Sequence, residues 1–115
     1  MIIDWTIILT PNFKNELQSI YDYLRSHYEN QIAIDHIQKI FIYIESLKQM
    51  PNRFSLVKNK KWRKRGLRYM IVSNYIVFFY PNENKKLVIV LHIYYHGRDI
   101  PYLLHEKEEI LNNSL

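Results

Sequence analysis

Leu67-Arg68-Tyr69-Met70-Ile71-Val72-Ser73-Asn74-Tyr75-Ile76-Val77-Phe78-Phe79-Tyr80 is the stretch that decides the fold. Two runs of β-branched and aromatic residues flank Ser73-Asn74, and such runs joined by two turn-forming residues predict a β-hairpin. Downstream, Pro81-Asn82-Glu83-Asn84 reads as another turn and Leu87 to Tyr95 as a third, mostly apolar strand. Strands this continuously apolar belong at the centre of a sheet, with both faces at least partly covered. His96-Gly97-Arg98-Asp99 then leaves the sheet, and Pro101 to Leu111 predicts a short terminal helix that frays at Asn112-Asn113-Ser114.

Upstream of the hairpin the hydrophobic period changes from two to that of a helix. Asp4 to Thr10 reads as an opening strand. Thr10-Pro11 is a helix start, because Thr caps free N–H groups and Pro suits the first helical position. Phe13, Leu17, Ile20, Tyr21, Leu24 and Tyr28 form one apolar stripe behind it. A second helix is expected from about Gln31 to Gln49, with Ala33, Ile37, Ile40, Ile44 and Leu47 on one face and an Asp35–Lys39 pair in support. Met50-Pro51-Asn52 ends it, since the residue before proline disfavours the helical region. A break as short as His27 to Asn30 makes the two helices an antiparallel hairpin. The expected fold is α+β: an N-terminal strand, a helical hairpin packed on a mostly antiparallel four-stranded sheet, and a short C-terminal helix. With 115 residues and no internal repeat or linker, residues 1–115 read as a single domain.

Composition narrows the functional classes. Hydrophobic residues make up 48%, enough to bury a core, and cysteine is absent, so neither a disulfide framework nor a thiolate zinc site is available. No signal-peptide pattern opens the chain and no apolar run approaches the ~20 residues of a membrane span, which predicts a cytoplasmic protein. Only Gly66 and Gly97 are present, too few for a glycine-rich phosphate loop, so no nucleotide cofactor is expected. The net charge of +5 is local: Lys58, Lys60, Lys61, Arg63, Lys64, Arg65 and Arg68 supply seven cations, and the rest of the chain is net negative. That cluster, with Trp62 interleaved, reads either as a binding surface for a polyanion or acidic partner or as a solvated, aggregation-preventing edge. Trp62 itself reads as a base-stacking residue or as an aromatic anchor in the fold or an interface.

Taken in order, several segments resemble the RelE/ParE superfamily of toxins from type II toxin–antitoxin systems, the plasmid-stabilisation proteins. Gly66-Leu67-Arg68 leading into Ile71 to Tyr80 is similar to the family's central hairpin, Pro51-Asn52-Arg53-Phe54 to the close of its second helix, and His96-Gly97-Arg98-Asp99 to the exit from its last strand. The resemblance runs from the first strand to about Leu104. It implies a cognate antitoxin that wraps and blocks the toxin, and a complex that binds operator DNA mainly through the antitoxin. It also implies one of two activities: ribosome-dependent, metal-free mRNA cleavage, as in RelE-like members, or non-enzymatic inhibition of DNA gyrase, as in ParE-like members.

Metal-free RNA cleavage needs cations to stabilise a phosphorane-like transition state and a Tyr, His, Lys or Glu to move a proton. Arg65, Arg68, Arg98 and Tyr102 are the candidates, while His96 reads as a general base or, more readily, as a strand-end histidine held by a structural hydrogen bond. By resemblance, Arg98 lies beside the position of a phosphate-contacting arginine and Tyr102 near a functional tyrosine. The position after Tyr75, an arginine in RelE, is Ile76, which tilts the reading slightly towards gyrase inhibition. Two other readings stand beside the active toxin: a non-toxic nucleic-acid-binding domain, and an inactivated toxin kept as an antitoxin decoy. His92 and His96 point to one strand face, yet without a second ligand pair no metal site is expected.

Overall fold

The computed structural model describes residues 4–95. Its elements are β1 (Thr6–Leu9), α1 (Pro11–His27), α2 (Asn30–Glu45), α3 (Lys60–Lys64), β2 (Arg68–Val72), β3 (Tyr75–Asn82) and β4 (Leu87–Tyr95), with 3-10 turns at Ser46–Lys48 and Pro51–Arg53. The sheet order is β1-β4-β3-β2, with β1 parallel to β4 and the other neighbours antiparallel. This is the α+β arrangement expected, a helical hairpin on a four-stranded sheet. The predicted C-terminal helix lies outside the described residues.

Thr10 turns the chain from strand to helix. Its Oγ1 accepts from the Phe13 N–H at 3.2 Å and donates to the Leu91 carbonyl at 3.0 Å, tying the start of α1 to β4. Phe13, Leu17, Ile40, Ile44 and Leu47 then pack with Met70, Val72, Tyr75, Val77, Phe79, Val88, Val90 and Ile93 to form a core between the helical hairpin and the sheet. Ser73, at φ 53°, supplies the positive φ that primed hairpin turns place at their first central residue.

The helix at Gln31–Gln49 is shorter than expected. It leaves α-geometry after Glu45 and tightens into the 3-10 turn, while the Arg53 guanidinium donates to the carbonyls of Ser46, Gln49 and Met50. The Ser46 and Met50 carbonyls also accept from the N–H groups of Gln49 and Arg53, so the guanidinium reinforces a chain end that the 3-10 turns already hold. The expected Asp35–Lys39 pair is replaced by Gln31 Nε2 donating to Asp35 at 2.8 Å.

The turn placed at Pro81–Asn84 sits further on. Pro81 and Asn82 extend β3, paired with Val88 and Leu87, and the reversal comes at Glu83 to Lys86, with Lys86 at φ 53°. Pro81 is tolerated there because β2 pairs no further than Phe79, so no neighbour on that side needs its missing N–H.

The largest departure is α3, in a stretch the hydrophobic pattern left without an element. Asn59 caps it, accepting from the N–H groups of Lys61 and Trp62 at 3.0 and 3.2 Å. Gly66, at φ 86°, ends it, with Gly66 N–H donating to Arg63 and Leu67 N–H to Trp62, the paired bonds of a Schellman motif. Trp62 is 1% exposed and packs with Val57, Leu67, Ile76, Phe78 and Leu91 in a second core, on the sheet face opposite the helical hairpin. β3 feeds both cores, Tyr75, Val77 and Phe79 on one side and Ile76 and Phe78 on the other.

Candidate functional site

α3 holds one apolar residue inward and leaves its cations outside. Lys58, Lys60, Lys61, Arg63, Lys64 and Arg65 are all exposed around the buried Trp62. Two of them also cover the indole: Lys61 Nζ lies 5.5 Å and Arg65 Cζ 5.1 Å from the ring centroid. Trp62 is therefore an anchor of the fold, and its face is not available to a base. Among the described residues, no ion pair involves a cation of α3.

Arg68 does not join that group. It alternates along β2 with Met70 and Val72, whose side chains enter the core beneath the helical hairpin, and its Nη1 donates to the Phe54 carbonyl. Arg68 and the other six cations of the cluster read in the sequence are thus divided by the sheet: α3 lies on the other face. Strand alternation contains this information, but only the position of α3 reveals which face is which. Arg98, Tyr102 and His96 lie outside the described residues.

Ile76 is 4% exposed in the second core, paired with Ile71 and Tyr94. The same face carries a polar cluster missed in the sequence. At the register shift opposite Phe78 and Phe79, Leu91 is the extra residue and His92 is fully buried. His92 Nδ1 lies 3.1 Å from both carboxylate oxygens of Glu16, and since a carboxylate only accepts, Nδ1 is the donor. Glu16 also accepts from the Ile93 N–H at 3.2 Å, and the His92 ring stacks on Tyr94 with centroids 5.4 Å apart. The His92 Nε2 has no hydrogen-bond partner among the described residues. Burial, and then the Glu16 charge and hydrogen bond, push the Tyr94 hydroxyl far above the usual phenol range. His92 was read as half of a strand-face histidine pair; its carboxylate partner lies 76 residues away, beyond any local pattern.

Of the remaining tyrosines, Tyr75 is buried, Tyr69 and Tyr80 pack against the second core, and Tyr28, Tyr43 and Tyr95 are exposed. Among the described residues no three His, Cys, Asp or Glu side chains group as metal ligands, and no helix is long and apolar enough to cross a membrane.

A family model described as the ParE toxin of the type II toxin–antitoxin system parDE matches residues 7–100. Two solved structures share the fold. A chain of the chromosomal ParDE system from P. aeruginosa is 18% identical, with a TM-score of 0.66 over 79% of this chain and 95% of that one. A chain of the RelBE2 toxin–antitoxin complex from Mycobacterium tuberculosis is 13% identical, with a TM-score of 0.56 over 81% of this chain and 99% of that one. No curated protein matches at a significant level.

Proposed function

This chain belongs to the ParE toxin family of type II toxin–antitoxin systems, and from that premise we propose that it arrests growth by inhibiting DNA gyrase and is neutralised by a cognate antitoxin. The observation that carries the choice of target is Ile76. An arginine at this position is part of the RelE-like resemblance, and here the position is an aliphatic residue 4% exposed inside the second core. A phosphate ligand at that site would have to desolvate a guanidinium among Trp62, Phe78 and Leu91, at a cost of several kcal/mol. Arg68 supports the same reading: its guanidinium is engaged by a backbone carbonyl and lies across the sheet from the α3 cations. The chain acts inside the cell, where the target and the antitoxin both reside.

The test is a supercoiling assay with purified gyrase and relaxed plasmid. The free chain should abolish supercoiling, and the product of the neighbouring reading frame should restore it. Intact supercoiling, together with shortened transcripts confined to translated messages, would replace gyrase by the ribosome and make the chain an mRNA endoribonuclease.

A further inference from the structure

We propose that α3 and its flanks form a sequence-independent contact surface for the phosphate backbone of duplex DNA. The inference stands on this surface alone and does not depend on which target the toxin blocks. From Ser46 to Asn82 the chain contains no Asp or Glu, while Lys48, Arg53, Lys58, Lys60, Lys61, Arg63, Lys64, Arg65 and Arg68 are all cationic. Six of these crowd into positions 58–65, exposed, and no carboxylate pairs with them among the described residues. Like charges held this closely repel one another and lower the stability of the fold, so their retention calls for a compensating partner.

The alternative, that the cations protect a sheet edge from aggregation, does not fit their position. The end of the β2 edge that follows α3 is already covered by Ser55 to Val57, through the Leu56–Arg68 bridge, Val57 N–H to the Leu67 carbonyl and Tyr69 N–H to the Ser55 carbonyl. The cations sit instead on a helix that caps a sheet face.

The chemistry of the exposed groups selects the partner. Single-stranded nucleic acids are held by aromatic side chains on which bases stack. Within positions 58–65 the one aromatic residue, Trp62, is buried and covered by its own cations. Asn59, the one side-chain amide, is committed to capping α3. What remains outward is a set of lysine and arginine donors, with no exposed amide, hydroxyl or carboxylate among positions 58–65 to add base-edge or ribose contacts, so phosphates are the groups this surface suits. The Trp62 anchor and the Schellman ending hold these donors on ordered backbone, so little ordering entropy is lost on contact.

The experiment is fluorescence anisotropy with the full chain and a labelled random-sequence duplex of about 20 base pairs, from about 50 to about 200 mM salt. Binding should weaken with a log–log slope of about −4 to −5, as for five or so phosphate contacts. The triple variant K60Q/R63Q/K64Q should reduce that slope by about 3 and lower affinity roughly 10- to 100-fold. The charge-keeping K60R/K64R variant should bind as the parent does, and Trp62 fluorescence should certify the fold of both. A slope unchanged in the triple variant would overturn the proposal. So would binding to single-stranded RNA, an RNA duplex or poly-glutamate that is tighter than binding to the DNA duplex.

Discussion

Glu16 stands where β1 has run out, and its carboxylate does for β4 what a longer first strand would have done. β1 pairs with β4 only as far as Leu9 opposite Val90, and Thr10 takes the next positions through its own N–H and hydroxyl. Beyond that, the Ile93 N–H would face an open edge, and Glu16 accepts it together with His92 Nδ1. The carboxylate also acts on Tyr94, whose hydroxyl is raised above its ordinary value of 10.0, first by burial and then by that negative charge. A raised phenol holds its proton more tightly in the folded state than in the unfolded chain. The stabilisation is therefore complete below pH 10, and it is lost as pH rises above the ordinary value and the unfolded chain alone ionises. Between pH 9 and 11 the urea midpoint should fall more steeply for the parent than for Tyr94→Phe, compared at each pH to cancel the other tyrosines. Parallel slopes for the two proteins would show that Tyr94 ionises freely in the fold.

At the scale of elements, α3 shows what the hydrophobic pattern can and cannot deliver. Five residues with a single apolar side chain present no periodicity, so the run read as a charge cluster around one tryptophan, without an element. Its two ends were nevertheless written in the sequence: Asn59 as a cap, Gly66 as a left-handed stop, and Leu67 placed to meet Trp62. Gly66→Ala tests the second of these. The left-handed region costs an alanine about 1–2 kcal/mol, and its Cβ would stand 3.3 Å from the Tyr80 ring. A denaturant midpoint lowered to that extent, with β-sheet content retained, is the expected result; an unchanged midpoint would mean that α3 ends without this turn. The longer elements were legible because they bury a stripe, as Phe13, Leu17 and Leu24 do in α1, or because turn residues bracket them, as Ser73-Asn74 brackets β2 and β3. Pro81 misled because its meaning depends on whether the neighbouring strand extends that far, a fact of the sheet and not of the segment. The candidate site was read less well than the fold for a related reason: the α3 cations were visible as a cluster, but the face from which Arg68 is excluded is set by tertiary packing.

The molecule as a whole is a sheet with a core on each side, and β3 is the element they share. Its residues Tyr75 to Phe79 are all buried and alternate between the cores, so neither core can be lost while β3 keeps both its neighbours. Cooperative unfolding follows from this alternation. If the small α3 side melted first, Ile76 and Phe78 would be exposed on a strand whose other face was still packed, and burial worth about 1.5–3 kcal/mol for each such side chain would be forfeited. The chain carries its own reporters, because its two tryptophans are divided between the cores: Trp5 lies on the hairpin side and Trp62 on the α3 side. Trp5→Phe leaves a fluorophore that reads only the α3 side, and Trp62→Phe one that reads only the hairpin side. Each variant should show a single urea transition in which fluorescence and far-ultraviolet circular dichroism coincide, the mark of two-state behaviour. If the α3-side tryptophan instead reports a transition at distinctly lower urea than the backbone signal of the same variant, the two cores are separable units. α3 is then a flap that opens on its own, and the cations it carries are presented by a moving element and not by the fixed surface described above.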